Sequence, residues 1–176
     1  IDIIKIRAGM KILDLGCGEG RSARMLVSKK VKYVGVDFSK ELISKARVIN
    51  TGENIKFIVK PAQDYISNEK FDLIFLFGLI PYMNDEDIRK LSRNCRMMLK
   101  KGGRLILRDV ILEDEEIRRK VFDDKNDFLR KMFFNRIPRY QLIRRSFDYE
   151  LELFKEFSPV YQNKIEGTKL CIKILK

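Results

Sequence analysis

Residues 12–20, ILDLGCGEG, place an apolar run and an aspartate directly before three glycines at alternate positions. Glycine adopts positive φ angles and lets the backbone approach a ligand closely, so this stretch predicts a small-molecule site directly after a strand. A phosphate-binding turn presents bare N–H groups and often a lysine, because its ligand is an anion. Here Asp14 precedes the glycines and Glu19 lies among them. The stretch therefore favours a cationic ligand.

Outward from this stretch, strand-like and helix-like segments alternate along the chain. The alternation predicts an α/β fold with a doubly wound, mostly parallel sheet and helices on both faces. Residues 160–165 and 169–175, joined by a short turn, predict two closing strands that pair antiparallel, which makes the final strand antiparallel. The earlier strand candidates are residues 11–15, 33–36, 55–59, 73–77 and 104–107.

Helical patterns fill the gaps between the strands. Ser39 is expected to cap a helix over residues 40–49, and Asn84 or Asp85 is expected to cap the helix after the fourth strand. Residues 113–133 also show helical spacing, with acidic residues in the first turn and basic residues in the last, and a further helix is expected at about residues 149–157. We expect a single domain over residues 1–176, in which residues 113–146 form a helical, substrate-covering insertion.

The composition excludes several classes of chemistry. The 176 residues contain no histidine, which removes Ser-His-Asp and Cys-His catalysis and histidine metal sites. The three cysteines are far apart in sequence and form no CxxC pair, so we expect no disulfide framework, no metal site and a cytoplasmic setting. The longest apolar stretch, residues 73–83, is shorter than the roughly 20 residues that span a bilayer, and no membrane anchor or signal peptide is recognised.

The formal net charge of +12 is concentrated in the second half of the chain. Residues 89–176 carry 23 Lys and Arg against 13 Asp and Glu. Such a surface attracts anions, nucleic acid among them, although no RNA-binding aromatic motif accompanies it. A solubilising surface is the simpler interpretation.

Four segments together resemble the class I S-adenosylmethionine-dependent methyltransferases. ILDLGCGEG is similar to the glycine-rich first motif of that family, and VGVDFS (34–39) to its second. PAQDY (61–65) is similar to the acidic segment after the third strand, and LKKGGRLILRD (99–109) to the fifth strand with its preceding turn. The resemblance covers about residues 8–110 and implies a Rossmann-like fold, S-adenosylmethionine as the cofactor and S-adenosylhomocysteine as its product.

The resemblance also implies roles for individual residues. Asp37 lies 21 residues after Gly16, near the spacing at which a carboxylate accepts hydrogen bonds from ribose hydroxyls. Phe38 would pack on the adenine, and Asp64 would approach the adenine amino group. Phe77 would line the methyl end. The expected cofactor-binding set is Asp14, Gly16, Cys17, Gly18, Asp37, Phe38, Gln63, Asp64 and Phe77.

Methyl transfer from a sulfonium releases a neutral thioether, so the leaving group needs no acid. Such an enzyme can act largely by positioning, which suits a chain without histidine. Asp109 and Tyr82, at the ends of the fifth and fourth strands, are the expected catalytic residues, because ligands bind outside the carboxyl ends of parallel strands. An O or N atom of a small molecule is the expected acceptor. The oligomeric state is not predicted.

Three alternatives are left open. The basic second half is compatible with an RNA methyltransferase, and a methyltransferase-like subunit that binds without catalysis would show the same motifs. A nicotinamide-dependent oxidoreductase is disfavoured, because its G-x-G-x-x-G fingerprint needs glycine at position 21, where this chain has Arg21.

Overall fold

The computed structural model describes residues 4–110, 117–122, 140–164 and 170–176. Seven strands form one sheet in the order β3-β2-β1-β4-β5-β9-β8. The first five strands are parallel to their neighbours, whereas β9 is antiparallel to both β5 and β8. This confirms the α/β prediction and the antiparallel end of the sheet. The strands are β1 (Lys11–Leu15), β2 (Lys32–Asp37), β3 (Ile55–Val59), β4 (Phe71–Phe77), β5 (Leu99–Val110), β8 (Pro159–Lys164) and β9 (Leu170–Leu175).

Four α-helices lie within the described residues, and side chains cap three of them as N-cap chemistry requires. Ser39 Oγ accepts the Leu42 N–H at 3.2 Å, and Asn84 Oδ1 accepts the Asp87 N–H at 2.8 Å, so both predicted caps are confirmed. The helices are α1 (Arg21–Leu26), α2 (Lys40–Ile49), α3 (Asp85–Met98) and α4 (Phe147–Leu153). The last begins two residues earlier than expected, because Ser146 supplies its N-cap.

The sheet separates two apolar layers. Alternate residues of each strand point to opposite faces, so neighbouring positions enter different clusters. Leu13 packs with α3 and α4 on one face, whereas Ile12 packs with α1 and α2 on the other. All 36 hydrophobic residues counted in the buried core are at most 8% exposed. Because both layers are closed, the open edge above the carboxyl ends of the strands is the natural place for a ligand.

The chain reverses its direction of winding at β1. This strand pairs with β2 on one side and β4 on the other, and both pairs are parallel. The crossovers that leave these strands diverge to opposite faces, so a crevice forms at the carboxyl ends of β1 and β4. The glycine-rich turn lies at this crevice.

The predicted helix over residues 113–133 is wrong where the structure describes that stretch. Ile117–Phe122 is a strand, β6, which pairs antiparallel with β7 (Tyr140–Arg145) in a separate two-stranded sheet. The residues of β6 are partly β-branched and aromatic, and a hydrogen-bonding partner distant in sequence outweighs a local helical spacing. Residues 113–116 and 123–139 lie outside the described residues.

The longest described helix, α3, has 14 residues, fewer than the roughly 20 that span a bilayer. No helix within residues 4–110, 117–122, 140–164 and 170–176 combines the length and the apolar character that crossing a membrane requires.

Candidate active site

The turn after β1 is built so that its backbone faces open space. Gly18 has φ +54°, and a Cβ added there would meet nothing within 4 Å. At Gly20, by contrast, a Cβ would lie 2.6 Å from Asn50 Nδ2 and 2.9 Å from the Phe57 ring. The turn is anchored to β2, because Gly16 N–H and Cys17 N–H both donate to the Val36 carbonyl oxygen, at 2.8 and 3.1 Å. The result is a fixed stretch of backbone with an unobstructed side.

Asp37 connects the end of β2 to this turn. Its Oδ2 accepts the Gly18 N–H at 3.0 Å, and its Oδ1 accepts the Ser39 N–H at 2.9 Å. The residue is only 7% exposed, so its carboxylate is held in one orientation. A carboxylate offers about four lone-pair sites, and these two bonds leave acceptor capacity on both oxygens. The structure thus brings together Asp37 and Gly18, two of the residues that the resemblance assigned to the cofactor.

Asp14 lies in β1 and is 2% exposed. The Tyr33 hydroxyl donates to its Oδ2 at 2.6 Å. Burial raises the pKa of Asp14 to about 6, although the Tyr33 and Ser22 hydroxyls and the Arg108 charge act in the opposite direction. Its carboxyl is therefore a buried group bonded to Tyr33, and its negative charge is costly to maintain.

We expect Asp14→Asn to change how stability depends on pH. The folded-state pKa of about 6 lies above the ordinary value of 3.8, so folding favours the protonated form. The contribution of Asp14 to stability therefore falls as the pH rises from about 4 to about 6. The free energy of unfolding of the variant, relative to the native chain, should rise by roughly 1 to 2 kcal/mol between pH 4.5 and 7.5 in urea titrations. A difference that is the same at both pH values would contradict the assignment.

Cys17 is a packing residue. It is 8% exposed, and a Cβ at Gly35 would lie 2.8 Å from its Sγ. Burial raises the pKa of the thiol well above its usual range, and the nearby Asp14 and Asp37 act in the same direction. The thiol is therefore neutral, so only the backbone of Cys17 is suited to meet a ligand.

The residues expected around an adenine differ in how they are engaged. Phe38 follows Asp37 and is 55% exposed, which leaves an aromatic face free beside the carboxylate. Asp64, however, forms an ion pair with Lys90 of α3 at 2.6 Å, and the Gln63 carbonyl oxygen accepts from Asn94 Nδ2 at 2.9 Å. No hydrogen bond joins Asp64 to Asp37 or to the glycine turn in the described part of the chain.

Phe77 closes β4 and carries two neighbours at its ring. The ring stacks on Phe75, with centroids 4.7 Å apart and planes 12° from parallel. The Arg108 guanidinium lies 5.0 Å from the Phe77 centroid, within cation–π range. Sequence reasoning did not select Arg108, although its position one residue before Asp109 in the fifth strand was the available signal.

Asp109 and Tyr82, the expected catalytic residues, have different environments. Tyr82 is 52% exposed in the turn after β4, whereas Asp109 is 3% exposed. Burial, and next the charge of Glu150, raise the pKa of Asp109 well above its usual value. Neither of its carboxylate oxygens has a hydrogen-bond partner among the described residues, since the nearby Gly78 N–H donates instead to the Arg108 carbonyl oxygen. Asp109 thus belongs to the interior and Tyr82 to the surface.

A buried arginine fixes the loop after β4. Arg145 of β7 is 3% exposed, and its Nη2 donates to Asp85 Oδ1 at 2.6 Å and to the Met83 carbonyl oxygen at 2.8 Å. Its Nη1 donates to the Ile80 carbonyl oxygen at 3.3 Å. The Tyr149 hydroxyl donates to the other Asp85 oxygen at 2.7 Å. We call Arg145, Asp85 and Tyr149 the loop clamp, because they join the β6–β7 hairpin and α4 to the segment that carries Tyr82.

No group of three or more His, Cys, Asp or Glu residues suited to hold a metal ion occurs within the described residues.

Comparison with known proteins identifies the family. Residues 12–103, just over half of the chain, match the family described as a methyltransferase domain. The chain belongs to the methyltransferase domain family. The matched stretch runs from β1 into β5, so it contains the glycine turn and Asp37.

Relatives of this methyltransferase domain differ in length and sequence. Phosphoethanolamine N-methyltransferase 1 of Triticum aestivum is 26% identical over 179 residues, which cover 96% of this chain but only 36% of the wheat protein. A methyltransferase of Mesorhizobium loti, dependent on S-adenosylmethionine, superposes with a TM-score of 0.75 at 16% identity, covering 99% of this chain and 94% of that one. The glycopeptide N-methyltransferase MtfA complexed with S-adenosylmethionine superposes with a TM-score of 0.74 at 12% identity, covering 96% and 87%. The resemblance to the class I S-adenosylmethionine-dependent family is confirmed, and the chain spans about a third of the wheat relative.

Proposed function

We propose that this methyltransferase domain transfers the methyl group of S-adenosylmethionine to an O or N atom of a small molecule. The observation that carries the proposal is the Asp37 carboxylate, held 3.0 Å from the Gly18 N–H beside unobstructed backbone. The wheat relative, by its name, methylates the nitrogen of a small molecule, and MtfA forms a complex with S-adenosylmethionine. Both facts support the same reaction class here.

The cofactor residues have separable roles in this proposal. Asp37 accepts hydrogen bonds from the ribose hydroxyls with the lone pairs that its two backbone bonds leave open. The exposed Phe38 ring supplies a face for the adenine, and the turn from Gly16 through Cys17 to Gly18 lets the backbone approach the methionine portion. Asp14 adds negative potential close to the sulfonium. Lys90 bonds only Oδ1 of Asp64, and Asn94 bonds only the backbone carbonyl of Gln63, so Asp64 Oδ2 and the Gln63 side chain can bond the adenine amino group.

The reaction requires the protein mainly to align the methyl donor with the acceptor atom. When bound, S-adenosylmethionine supplies an electrophilic methyl carbon, whose bond to sulfur breaks with the electron pair remaining on sulfur while the acceptor lone pair forms the new bond. The proton of the acceptor leaves to solvent or to a nearby base. Phe77 and the Gly78 backbone line the methyl end and exclude water, and alignment of this type lowers a barrier by about 7 to 11 kcal/mol.

The assay that tests the proposal uses labelled cofactor and a cell extract divided into small-molecule and RNA fractions. We expect label to enter the small-molecule fraction. Incorporation confined to the RNA fraction would replace the proposed acceptor class with nucleic acid. Saturable cofactor binding without incorporation into either fraction would indicate a binding subunit without catalytic activity.

Tyr82→Phe is expected to lower the rate of label transfer about tenfold, at the low end of acid–base contributions. Its hydroxyl is on an exposed residue at the carboxyl end of β4, where an acceptor can be reached. Asp109→Asn is the comparison, because Asp109 is 3% exposed and packs near Glu150 and Lys173. We expect that variant to retain a rate within about threefold of the native one. The opposite order of effects would make Asp109 the catalytic residue.

A further inference from the structure

A groove runs between α1 and the carboxyl-terminal halves of β4 and β5. Its floor and one wall are largely apolar, whereas Arg21, Ser22 and Arg108 supply the polar groups. The apolar lining includes Ile4, Ile6, Met25, Phe75, Phe77 and Ile106. A concave apolar surface with a few convergent polar groups is the usual form of a small-molecule site.

The two guanidinium groups of this groove form no ion pair within the part of the chain that the structure describes. Arg21 and Arg108 are both exposed, and neither forms an ion pair with a described residue. Arg24, one turn further along α1, does form such a pair, with Glu19 at 3.2 Å. Arg108 is ordered by the Phe77 ring, which lies 5.0 Å below it, and this contact leaves all of its N–H donors available. The groove therefore combines an apolar lining with two guanidinium groups that form no ion pair with a described residue.

The groove opens at the edge of the sheet that carries the glycine turn. Arg21 follows Gly20 directly, and the Gly20 carbonyl oxygen accepts the Arg24 N–H at 3.2 Å, so α1 continues from the turn without a break. On the other side, Phe77 directly precedes Gly78, whose N–H donates to the Arg108 carbonyl oxygen at 2.9 Å. A molecule in the groove therefore has one end at the place assigned above to the transferable methyl group.

We propose that this groove binds the methyl acceptor, and that the acceptor is a small amphipathic anion. The inference rests on the proposed function, whose acceptor it narrows to a molecule with an apolar body and a carboxylate or phosphate group. The body packs on Phe77 and Ile106, and the anionic group meets Arg108 and Arg21. Guanidinium groups bind both anions in a bidentate manner, so the groove itself does not choose between the two.

Charge supports this occupant over a neutral one. The donor proposed above is a cation, whereas the groove contributes two guanidinium groups that form no ion pair with a described residue. Of the two, Arg108 also interacts at longer range with Asp14 and Asp109, since its charge acts to lower the pKa of both carboxyls. An anionic acceptor neutralises the groove, while a neutral acceptor would leave two guanidinium groups beside apolar surface without a partner. Hydrogen bonds between charged partners are stronger than neutral ones, so the anion gains more from the two guanidinium groups than a neutral molecule does. A preference for anions is the measurable consequence.

The test measures binding of three probes to protein saturated with S-adenosylhomocysteine, by NMR titration at 0.15 M salt. The probes are phenyl phosphate, phenylacetate and the neutral 2-phenylethanol, which share one apolar body. At least one anion should bind about fivefold more tightly than the neutral probe, and the stronger of the two identifies the anionic group. Arg108→Gln and Arg21→Gln should each lower that preference to about twofold or less, since each removes one charged hydrogen-bonding group.

Arg93→Gln provides the matched control. Arg93 is exposed on α3, which packs on the opposite face of the sheet, so the variant makes the same change of charge away from the groove. If Arg93→Gln weakens anion binding as much as Arg108→Gln, the preference arises from the general positive field and the inference fails. The inference also fails if the anionic probes bind no more tightly than 2-phenylethanol.

The two proposals fail in different ways. If the native chain binds S-adenosylmethionine but shows no preference for anionic probes, the proposed acceptor class is wrong and the methyltransferase proposal stands. If the groove prefers anions but the chain does not bind S-adenosylmethionine, the methyltransferase proposal is wrong and the groove remains an anion site.

Discussion

Asp37→Ala is expected to weaken binding of S-adenosylmethionine about a hundredfold, or about 2.7 kcal/mol. The substitution removes a charged acceptor proposed to bind two ribose hydroxyls, and such bonds are worth about 1.5 to 3 kcal/mol each. It also frees the Gly18 and Ser39 N–H groups, which now donate to Asp37 at 3.0 and 2.9 Å. Isothermal titration calorimetry of the variant gives the change directly.

Glu69→Ala is the control for the change of charge. Glu69 precedes β4 at the opposite end of the sheet and pairs with Lys11 on the surface at 2.8 Å. Its removal should change cofactor affinity less than about twofold, because exposed charges more than about 10 Å apart are screened at 0.1 M salt. Unchanged binding in Asp37→Ala would remove Asp37 from the cofactor site. Equal losses in the two variants would show that only the overall charge matters.

Arg145→Met is expected to destabilise the protein by about 3 to 5 kcal/mol, the usual result of removing one partner from a buried ion pair. The Arg145 side chain is 1% exposed and that of Asp85 21%. Burial alone would raise the pKa of Asp85. Hydrogen bonds from Tyr149 and Arg145 nevertheless hold this pKa below its ordinary value. Methionine would fill most of the volume but leave the carbonyl oxygens of Ile80 and Met83 without their donor. Urea unfolding measures the loss.

Two variants make this result interpretable. Arg93→Met makes the same chemical change at an exposed position of α3 and should cost no more than about 0.5 kcal/mol. Tyr149→Phe removes one donor to Asp85 and should cost about 1 kcal/mol while leaving the fold intact. A loss below about 1 kcal/mol in Arg145→Met would show that the loop clamp does not hold the segment after β4.

Much of the cofactor half of the protein could be predicted from its sequence, because the signals there are local. Short apolar runs between helix-like segments marked the five parallel strands, and Ser39 and Asn84 cap the helices as their hydrogen-bonding chemistry requires. Asp37 meets Gly18 because β1 and β2 are neighbours and parallel. A short motif contains all of that information.

The part of the chain after β4 was harder to predict, because its contacts join residues that are distant in sequence. Ile117–Phe122 has helical spacing, yet it pairs with Tyr140–Arg145 to form a hairpin. The loop clamp joins Arg145 to Asp85 across 60 residues, which no local pattern reveals. Arg108 and Asp109 are adjacent, but strand alternation directs Arg108 to the groove and Asp109 to the interior. Sequence reasoning selected Asp109. In the structure, however, Arg108 is the exposed residue that can meet a ligand.

The most direct test of the whole account is a pair of calorimetric titrations of the native chain, one with S-adenosylmethionine and one with NAD. The negative charge of Asp37 and Asp14 beside bare backbone should favour the sulfonium donor, because a pyrophosphate would be repelled at the same place. We expect saturable binding of S-adenosylmethionine at one site and none of NAD. Saturable NAD binding with no heat from S-adenosylmethionine would contradict the account.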